Sequence, residues 1–507
     1  MEKKFNRSER SWILYDWANS VYATIVMAAV FPIYFSSVAK GAGHPGDVWW
    51  GYATSAATLI IAVTAPLLGA VGDFRGMKKR LFTAFLFIGA LFTLLLAFTD
   101  NIMLMLWGYA LSYIGFAGSN LFYDSFLTDV TTSERMDRVS AYGYGFGYIG
   151  GSTIPFIASI ALITFGESFG VDSVLAIKMS LVLTVVWWLV FSLPFLKNVR
   201  QVHYVETPPS KLVKHAFQNI FKTFRAIIST KKLLVFIIAY FFYIDGVGTV
   251  IHMATAYGST LGLDSTKMIL ALLLTQLVAF PCSLAFSKIS GKIGTIKMLG
   301  VGILVYIVVC GVGFFMGFNI EPHQFAYEQN YTEVLNGNQG SVPGPVLEQL
   351  SQEGRAFLSS PDREERFLTL ARQVGQDYNL AGTADFDRLV QNTGSFLGDR
   401  DLARNYDDAL GFSTLLFWIL SVLVGSSQGG IQALSRSYFG KIIPPERSNE
   451  FFGFFDIFGK FAAVVGPALY ALFAGWTGRS SIGILSLLLL FIIGGFILLK
   501  NRRLLEE

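Results

Sequence analysis

The chain has 507 residues, 53% of them hydrophobic and only 15% charged, with two cysteines and a formal net charge of +4. So apolar a composition at this length excludes a soluble globular protein and leaves an integral membrane protein. No nucleic-acid partner is expected, and Cys282 and Cys310, both inside apolar runs, offer core packing rather than a disulfide framework or a metal site.

Runs long enough to cross a bilayer recur twelve times, near 13–38, 48–71, 81–98, 102–122, 141–165, 174–196, 233–257, 266–288, 297–318, 411–433, 449–474 and 480–499. This pattern predicts an all-α membrane protein with an amino-terminal six-helix half (1–196), a linker (197–232) and a carboxy-terminal half (233–507). Placing the amino terminus in the cytoplasm puts 27 of the 39 Lys and Arg in cytoplasmic segments and 11 outside, seven of those in one long external segment. The short external loops are thus nearly free of bases, and both termini are expected inside. Met1 to Arg10 is a short basic stretch before a span too long for a signal core, so the first helix reads as its own insertion signal.

The first span opens on Tyr15-Asp16-Trp17-Ala18-Asn19-Ser20, a polar cluster entering the membrane before its apolar run. Asp16 and Asn19 share a helical face, with Tyr22 close by. Asp16 is a candidate proton group, and Asn19 and Tyr22 are candidate substrate contacts; Asp16 also lies near enough to the helix start to serve only as a partner of the helix dipole. The turn between spans 2 and 3 reads Gly69-Ala-Val-Gly-Asp73-Phe-Arg75-Gly76-Met-Lys78-Lys79. Gly69 and Gly76 permit close approach and turning, and Asp73 can cap a helix or pair with a base; a merely solvated basic loop is the alternative.

Span 4 ends in Asn120-Leu-Phe-Tyr-Asp124-Ser-Phe-Leu-Thr-Asp129, and span 5 carries Gly143, Gly147 and Gly151 at four-residue steps, a ridge for tight helix packing or for sliding between halves. In the linker, Leu212, Val213, Ala216, Phe217, Ile220, Phe221, Phe224, Ile227 and Ile228 fall opposite Lys211, Lys214, Lys222 and Arg225, which predicts an amphipathic helix on the inner membrane surface.

Span 7 contains Tyr240-Phe-Phe-Tyr243-Ile-Asp245-Gly246-Val-Gly248-Thr249-Val-Ile-His252. Asp245 falls about 18 Å along a core roughly 30 Å thick, where an unpaired charge is costly, and Thr249 and His252 follow on its face. Asp245 with His252 is a candidate proton site, Tyr243, Thr249 and Gln276 of span 8 are candidate substrate contacts, and a structural hydrogen bond is the alternative for Asp245. Ser287-x3-Gly291-Lys292-x-Gly294 between spans 8 and 9 echoes the loop between spans 2 and 3 without its acid. Residues 319–410 hold 15 Asp and Glu against seven Arg and no Lys, and three helical segments (345–357, 360–376 with Ser360 as cap, and 385–396) predict a small external subdomain. Span 10 aligns Gln428, Gln432 and Arg436 on one stripe, able to orient a zwitterion, with Arg436 alternatively an inner-loop anchor. In span 11, Asp456 and Lys460 form an i,i+4 ion pair.

The loop Gly69-x3-Asp73-x2-Gly76-x-Lys78-Lys79 resembles the signature of the major facilitator superfamily, although Phe74 and Met77 stand where that signature prefers bases. Tyr15-Asp16-Trp17-Ala18-Asn19-Ser20, Asp245-Gly246, Gln428-Gly-Gly-x-Gln432-Ala-Leu-Ser-Arg436-Ser and Glu450-Phe-Phe-Gly453 resemble more narrowly the vacuole-effluxer-like family, relatives of the autophagy-related vacuolar amino-acid effluxer. The resemblance implies a major-facilitator fold, a substrate site between the halves and export of small solutes, with 319–410 departing from the family; the loop residues and Arg436 are then gating candidates. No cofactor is implied. No Gly-x4-Gly-Lys-(Ser/Thr) loop is present, so the expected activity is secondary transport of a small molecule, coupled to protons, by a monomer in a bacterial inner membrane. The alternative is a non-transporting receptor or scaffold working through 319–410; deleting that segment would spare flux in a transporter and abolish activity in a receptor. An enzyme is not expected, since no metal-spaced His/Cys cluster and no nucleophile beside a base occurs.

Overall fold

A computed structural model describes residues 4–41, 46–206, 212–337 and 341–507. Among the described residues, twelve helices are long and apolar enough to cross a membrane: Arg7–Ala39, Trp49–Gly72, Met77–Leu96, Ile102–Val130, Met136–Phe169, Ser173–Asn198, Lys231–Thr260, Thr266–Ile293, Thr295–Asn336, Arg400–Ile442, Pro445–Thr477 and Ser480–Lys500. These are spans 1 to 12, and each expected span is found. Spans 9 and 10 run furthest past the expected bounds, because they continue out of the apolar region as polar helices and form two sides of the inserted subdomain.

Spans 1 and 5 are not uniform. Ala23–Ala29 and Gly147–Thr153 adopt the wider π-helix, just ahead of Pro32 and Pro155. A proline supplies no N–H to the carbonyl one turn earlier, and shifting the register by one residue redistributes the orphaned acceptors. The Gly143, Gly147 and Gly151 ridge lies against span 1: a side chain at Gly143 would meet Asp16 and Trp12, and one at Gly147 or Gly151 would meet Ser20. The ridge therefore packs two helices of one half closely, and at Gly143 it also meets Arg436 of the other half. Around it the first half is filled by aromatic side chains, among them Trp12, Tyr15, Tyr22, Tyr123 and Trp188, all essentially without exposure.

The linker runs from Val199 to the helix Leu212–Ser229, whose first turns lie outside the residues with described side chains. Thr223 and Ile227 are buried against the protein, whereas Phe221 and Ile228 remain exposed, so the helix presents one face to the bundle and leaves apolar groups for lipid. Beyond span 9, helices Gly344–Arg355, Arg363–Asp377 and Ala384–Gly398 enclose a small core of Val346, Leu350, Phe367, Val374, Leu389 and Leu397. The second of these helices starts at Arg363 after Asp362, with no side-chain cap bond, so Ser360 is not its cap. Arg363 is held instead by Asp407 at 2.5 Å and by the Leu358 carbonyl at 2.9 Å, which ties the subdomain to the start of span 10.

Candidate functional site

Where the halves meet, a cavity of about 320 Å³ is lined by Leu121 and Asp124 of span 4, Tyr144 of span 5, Ile244, Gly248 and His252 of span 7, Gln432 and Arg436 of span 10, and Phe452 and Asp456 of span 11. Arg436 is its most heavily bonded group. Its Nη1 donates to Asp124 at 2.8 Å, its Nη2 to Asp16 at 3.3 Å and to the Ser140 carbonyl at 3.2 Å, and its Nε to the Ser140 hydroxyl at 3.0 Å. The guanidinium also faces the rings of Tyr144 at 4.3 Å and Trp12 at 4.6 Å. A buried guanidinium needs this many partners, because each unpaired donor away from water is costly. The two carboxylates are held differently. Asp16 also accepts from the Tyr123 hydroxyl at 2.6 Å and is almost closed to solvent, while the Asp124 side chain keeps 31% of its exposure and faces the cavity.

The stripe in span 10 divides. Gln432 and Arg436 reach the main cavity, while Gln428 and Gln276 line a smaller, mainly apolar cavity of about 90 Å³ inside the second half, where Gln276 Oε1 has no hydrogen-bond partner. The face of span 7 divides too. His252 lines the main cavity, whereas Asp245 and Thr249 turn toward Gly466 of span 11, where a side chain would meet both of their oxygens. Among the described residues, neither Asp245 oxygen nor the buried Thr249 hydroxyl has a partner within hydrogen-bonding geometry. Asn19 donates to Asn120 at 2.5 Å, Tyr22 shares a bond with Ser112 at 2.7 Å, and Tyr243 one with Ser435 at 2.7 Å; these three side chains are satisfied within single halves, away from the cavity lining. The side chain of Lys460 lies outside the described residues, and with it the expected pair with Asp456. Asp124, Tyr144 and Tyr240 line the cavity without having been singled out in the sequence. An acid four residues after an amide and five before a second acid was the available signal, but it reads equally as a helix-end cluster.

Beneath this cavity, toward the end of the bundle that carries both termini, the loop between spans 2 and 3 crosses to the other half. Asp73 accepts from the backbone N–H of Asn449 at 2.9 Å and of Glu450 at 3.1 Å and from the Asn449 side chain at 2.8 Å, so it caps the start of span 11. Burial pushes its carboxyl up to about 7, against the opposing pull of Lys78 and the Asn449 N–H groups. Lys78, fully buried, donates to Asp129 at 2.6 Å and to the Ser448 hydroxyl at 2.9 Å, and the Ser125 hydroxyl donates to Asn449. Gly69 lies against the Asn449 backbone, and any side chain there would collide with it. Gly76 adopts φ 73, the left-handed turn its position requires, and Lys79 donates to the Val199 carbonyl at 2.8 Å.

The second loop of this kind lacks an acid of its own and meets one from the first half. Asp137, at the start of span 5, accepts from Ser290 at 3.1 Å, Thr295 at 2.8 Å, Ser437 at 2.6 Å and Lys441 at 2.6 Å. The linker joins the first crossing: Val205 donates to the Asp73 carbonyl at 2.9 Å, and the backbone N–H groups of Val202 and His203 donate to Asp129 at 2.9 Å and 2.8 Å. The Asp129 carboxylate holds His203 above the ordinary imidazole range, with burial acting in the opposite direction.

The sequence pattern of the family described as "Vacuole effluxer Atg22 like" matches residues 50–339 and 408–501. The chain is 37% identical over 505 residues to YxiO, an MFS-type transporter of Bacillus subtilis, covering 98% of this chain and 95% of that one. It is also 23% identical to autophagy-related protein 22 of Cryptococcus neoformans over 377 residues, which are 73% of this chain and 50% of the fungal protein. In shape it is similar to the human organic anion transporter MFSD10, with a TM-score of 0.60, 11% identity and coverage of 97% of this chain and 99% of that one. It is likewise similar to the outward conformation of the transporter FucP, with a TM-score of 0.55, 12% identity and coverage of 98% and 97%. The expected all-α, major-facilitator architecture is therefore present, and a transporter rather than an enzyme is the class of protein to which it belongs. A twelve-span chain with a charged cavity between its halves, matching that family over most of its length, is a member of the vacuole-effluxer Atg22-like family of major-facilitator transporters.

Proposed function

We propose that this protein is a secondary active transporter that exports a small zwitterionic solute of the amino-acid type across a bacterial inner membrane, by alternating access and coupled to protons. The observation that carries the reading is the cavity lined by both halves, with Asp124 from the first and Arg436 and His252 from the second. Rocking one half against the other exposes such a cavity to each side in turn. The bonds made by Asp73, Lys78 and Asp137 join the halves at the end bearing the termini, so in this reading the conformation is the one closed at that end. The excess of bases in the segments of that end supports its assignment to the cytoplasm. The family description supports export, and the protein acts as a monomer.

Asp245 and His252 are the proton-handling pair in this reading. A carboxyl buried in span 7, with only the neutral Thr249 hydroxyl and Gly466 backbone described beside it, is costly as a charge, and His252, two turns further along the helix, lines the cavity. The test is flux in proteoliposomes, with the solute chosen by a thermal-shift screen of amino acids, sugars and nucleosides. Asp245→Asn should leave the protein folded and remove the dependence of flux on a pH gradient. Proton-driven flux that is unchanged in Asp245→Asn would take the coupling role away from this residue.

A further inference from the structure

The transport reading leaves open how Arg436 engages a solute when two carboxylates already occupy it. We infer that Asp124 is an exchangeable occupant of Arg436: an anionic carboxylate of the solute takes its place on Nη1, and the displaced Asp124 binds one proton. The inference rests on the transport reading for its consequence but on local geometry for its substance.

The asymmetry between the two acids is the first argument. Asp16 is fixed, since it accepts from both Arg436 and the Tyr123 hydroxyl and is enclosed by Trp12 and Gly143. Asp124 has one described hydrogen bond, the one to Arg436 Nη1, and its exposed part faces the cavity. The Nε and Nη2 donors of Arg436 are committed to Ser140 and Asp16, which hold the guanidinium in place when Nη1 changes partner.

Charge is the second argument. One guanidinium between two carboxylates already carries one negative charge in surplus, in a site screened by Trp12, Tyr123 and Tyr144. Adding the carboxylate of a simple anion such as acetate doubles the surplus at the guanidinium unless an acid is neutralised, and like charges in close contact cannot all remain ionised. Among the described residues, the groups around Asp124 add no second permanent cation: Asp16 comes from span 1, Tyr144 from span 5, Tyr240 and His252 from span 7, and Asp456 from span 11. Of the two acids bonded to Arg436, Asp124 is the one that lines the cavity, so the proton is taken from water there and bonds to one of its carboxylate oxygens. Apart from that O–H bond, only the hydrogen bonds on Nη1 change. One solute carboxylate and one proton are thereby bound together.

The test uses the full chain in detergent and sodium acetate as the probe carboxylate, with sodium chloride as the control and the melting temperature as the readout. Wild-type protein should be stabilised by acetate at acid pH and not at alkaline pH. Asp124→Asn, whose Nη1 site is vacated by a neutral side chain, should be stabilised at both, with half-saturation at neutral pH lowered roughly tenfold against wild type. Asp124→Glu should restore the wild-type pH dependence. If Asp124→Asn does not fold, Asp124→Ser makes the same comparison. Acetate acting equally on wild type and variant, or no more strongly than chloride, would overturn the inference. The titration needs no flux, so a chain that moves no solute can still show the exchange, and one that transports can still fail it.

Discussion

Asp73 illustrates how one side chain can be both a local turn residue and a connection between halves. Its carboxylate replaces the missing intrahelical partners at the start of span 11, a stabilising arrangement for a helix N-terminus. Its folded value of about 7 stands above the unfolded value of 3.8, so the native state holds its proton more tightly than the unfolded chain does. The sign follows: this contribution is greatest on the acid side, declines as pH rises from about 4 to about 7, and is constant above that. Asp73→Asn should remove that decline from a profile of melting temperature against pH; a profile with the same slope in variant and wild type would show that another group titrates there. Residue by residue, the sequence was partly legible. Asp16 and Arg436 stand out as polar groups in apolar runs, but their meeting, 420 positions apart, is a product of folding that no local spacing encodes. Asp124 escapes notice for the same reason, since only the arrival of Arg436 distinguishes it from an ordinary helix-end acid. Asp245 and His252 share a stripe by periodicity, yet a few tens of degrees around the helix separate the wall of the cavity from the contact with Gly466.

Helices were the most legible level, because twenty or so apolar residues have few other uses than to cross a bilayer. Their ends were less so: spans 9 and 10 run on as polar helices, which hydropathy cannot separate from a new element, and the π-helical turns of spans 1 and 5 leave only a downstream proline as their trace. The loop between spans 2 and 3 was recognisable by its glycines and charges, while its partner, the start of span 11, was not. Gly69 makes that contact possible, since span 2 and the Asn449 backbone touch where a Cβ would stand. Gly69→Val should therefore prise the closed end apart. In a background without Cys282 and Cys310, a cysteine placed at Gln432 should resist a membrane-impermeant thiol reagent supplied from the side of the termini, and should become reactive once Gly69→Val is added. Equal protection in both would mean that this contact does not close the cavity.

At the scale of the molecule, two six-span halves meet through close helix packing, span 2 on span 11 and span 5 on span 8, and through charged and capped contacts at the end that carries the termini. Asp73 reaches from the first half to the start of span 11, and Asp137 from the first half to the loop between spans 8 and 9, so the two related loops are each met near the start of a span in the opposite half. The linker is anchored on both sides of the first crossing, by Val205 on Asp73 and by the Thr223 hydroxyl, which donates to Glu450 at 2.6 Å. Polar contacts of this kind can be broken and remade at modest cost, which is what a structure alternating between two arrangements requires. The inserted subdomain keeps its own small core and touches the bundle near Gly262, where Ser359 and Tyr406 lie against the loop between spans 7 and 8. The central claim, that the halves rock about the Arg436 cavity, is tested most directly by spin-label distances across both ends of the bundle. One pair is placed at Arg75 and Glu446, beside the contacts that join the halves, and a second at Phe169 and Asp264 on the opposite face. As solute and pH are varied, the account predicts that the first distance lengthens while the second shortens. Two distances that stay fixed, or that change in the same direction, would contradict it.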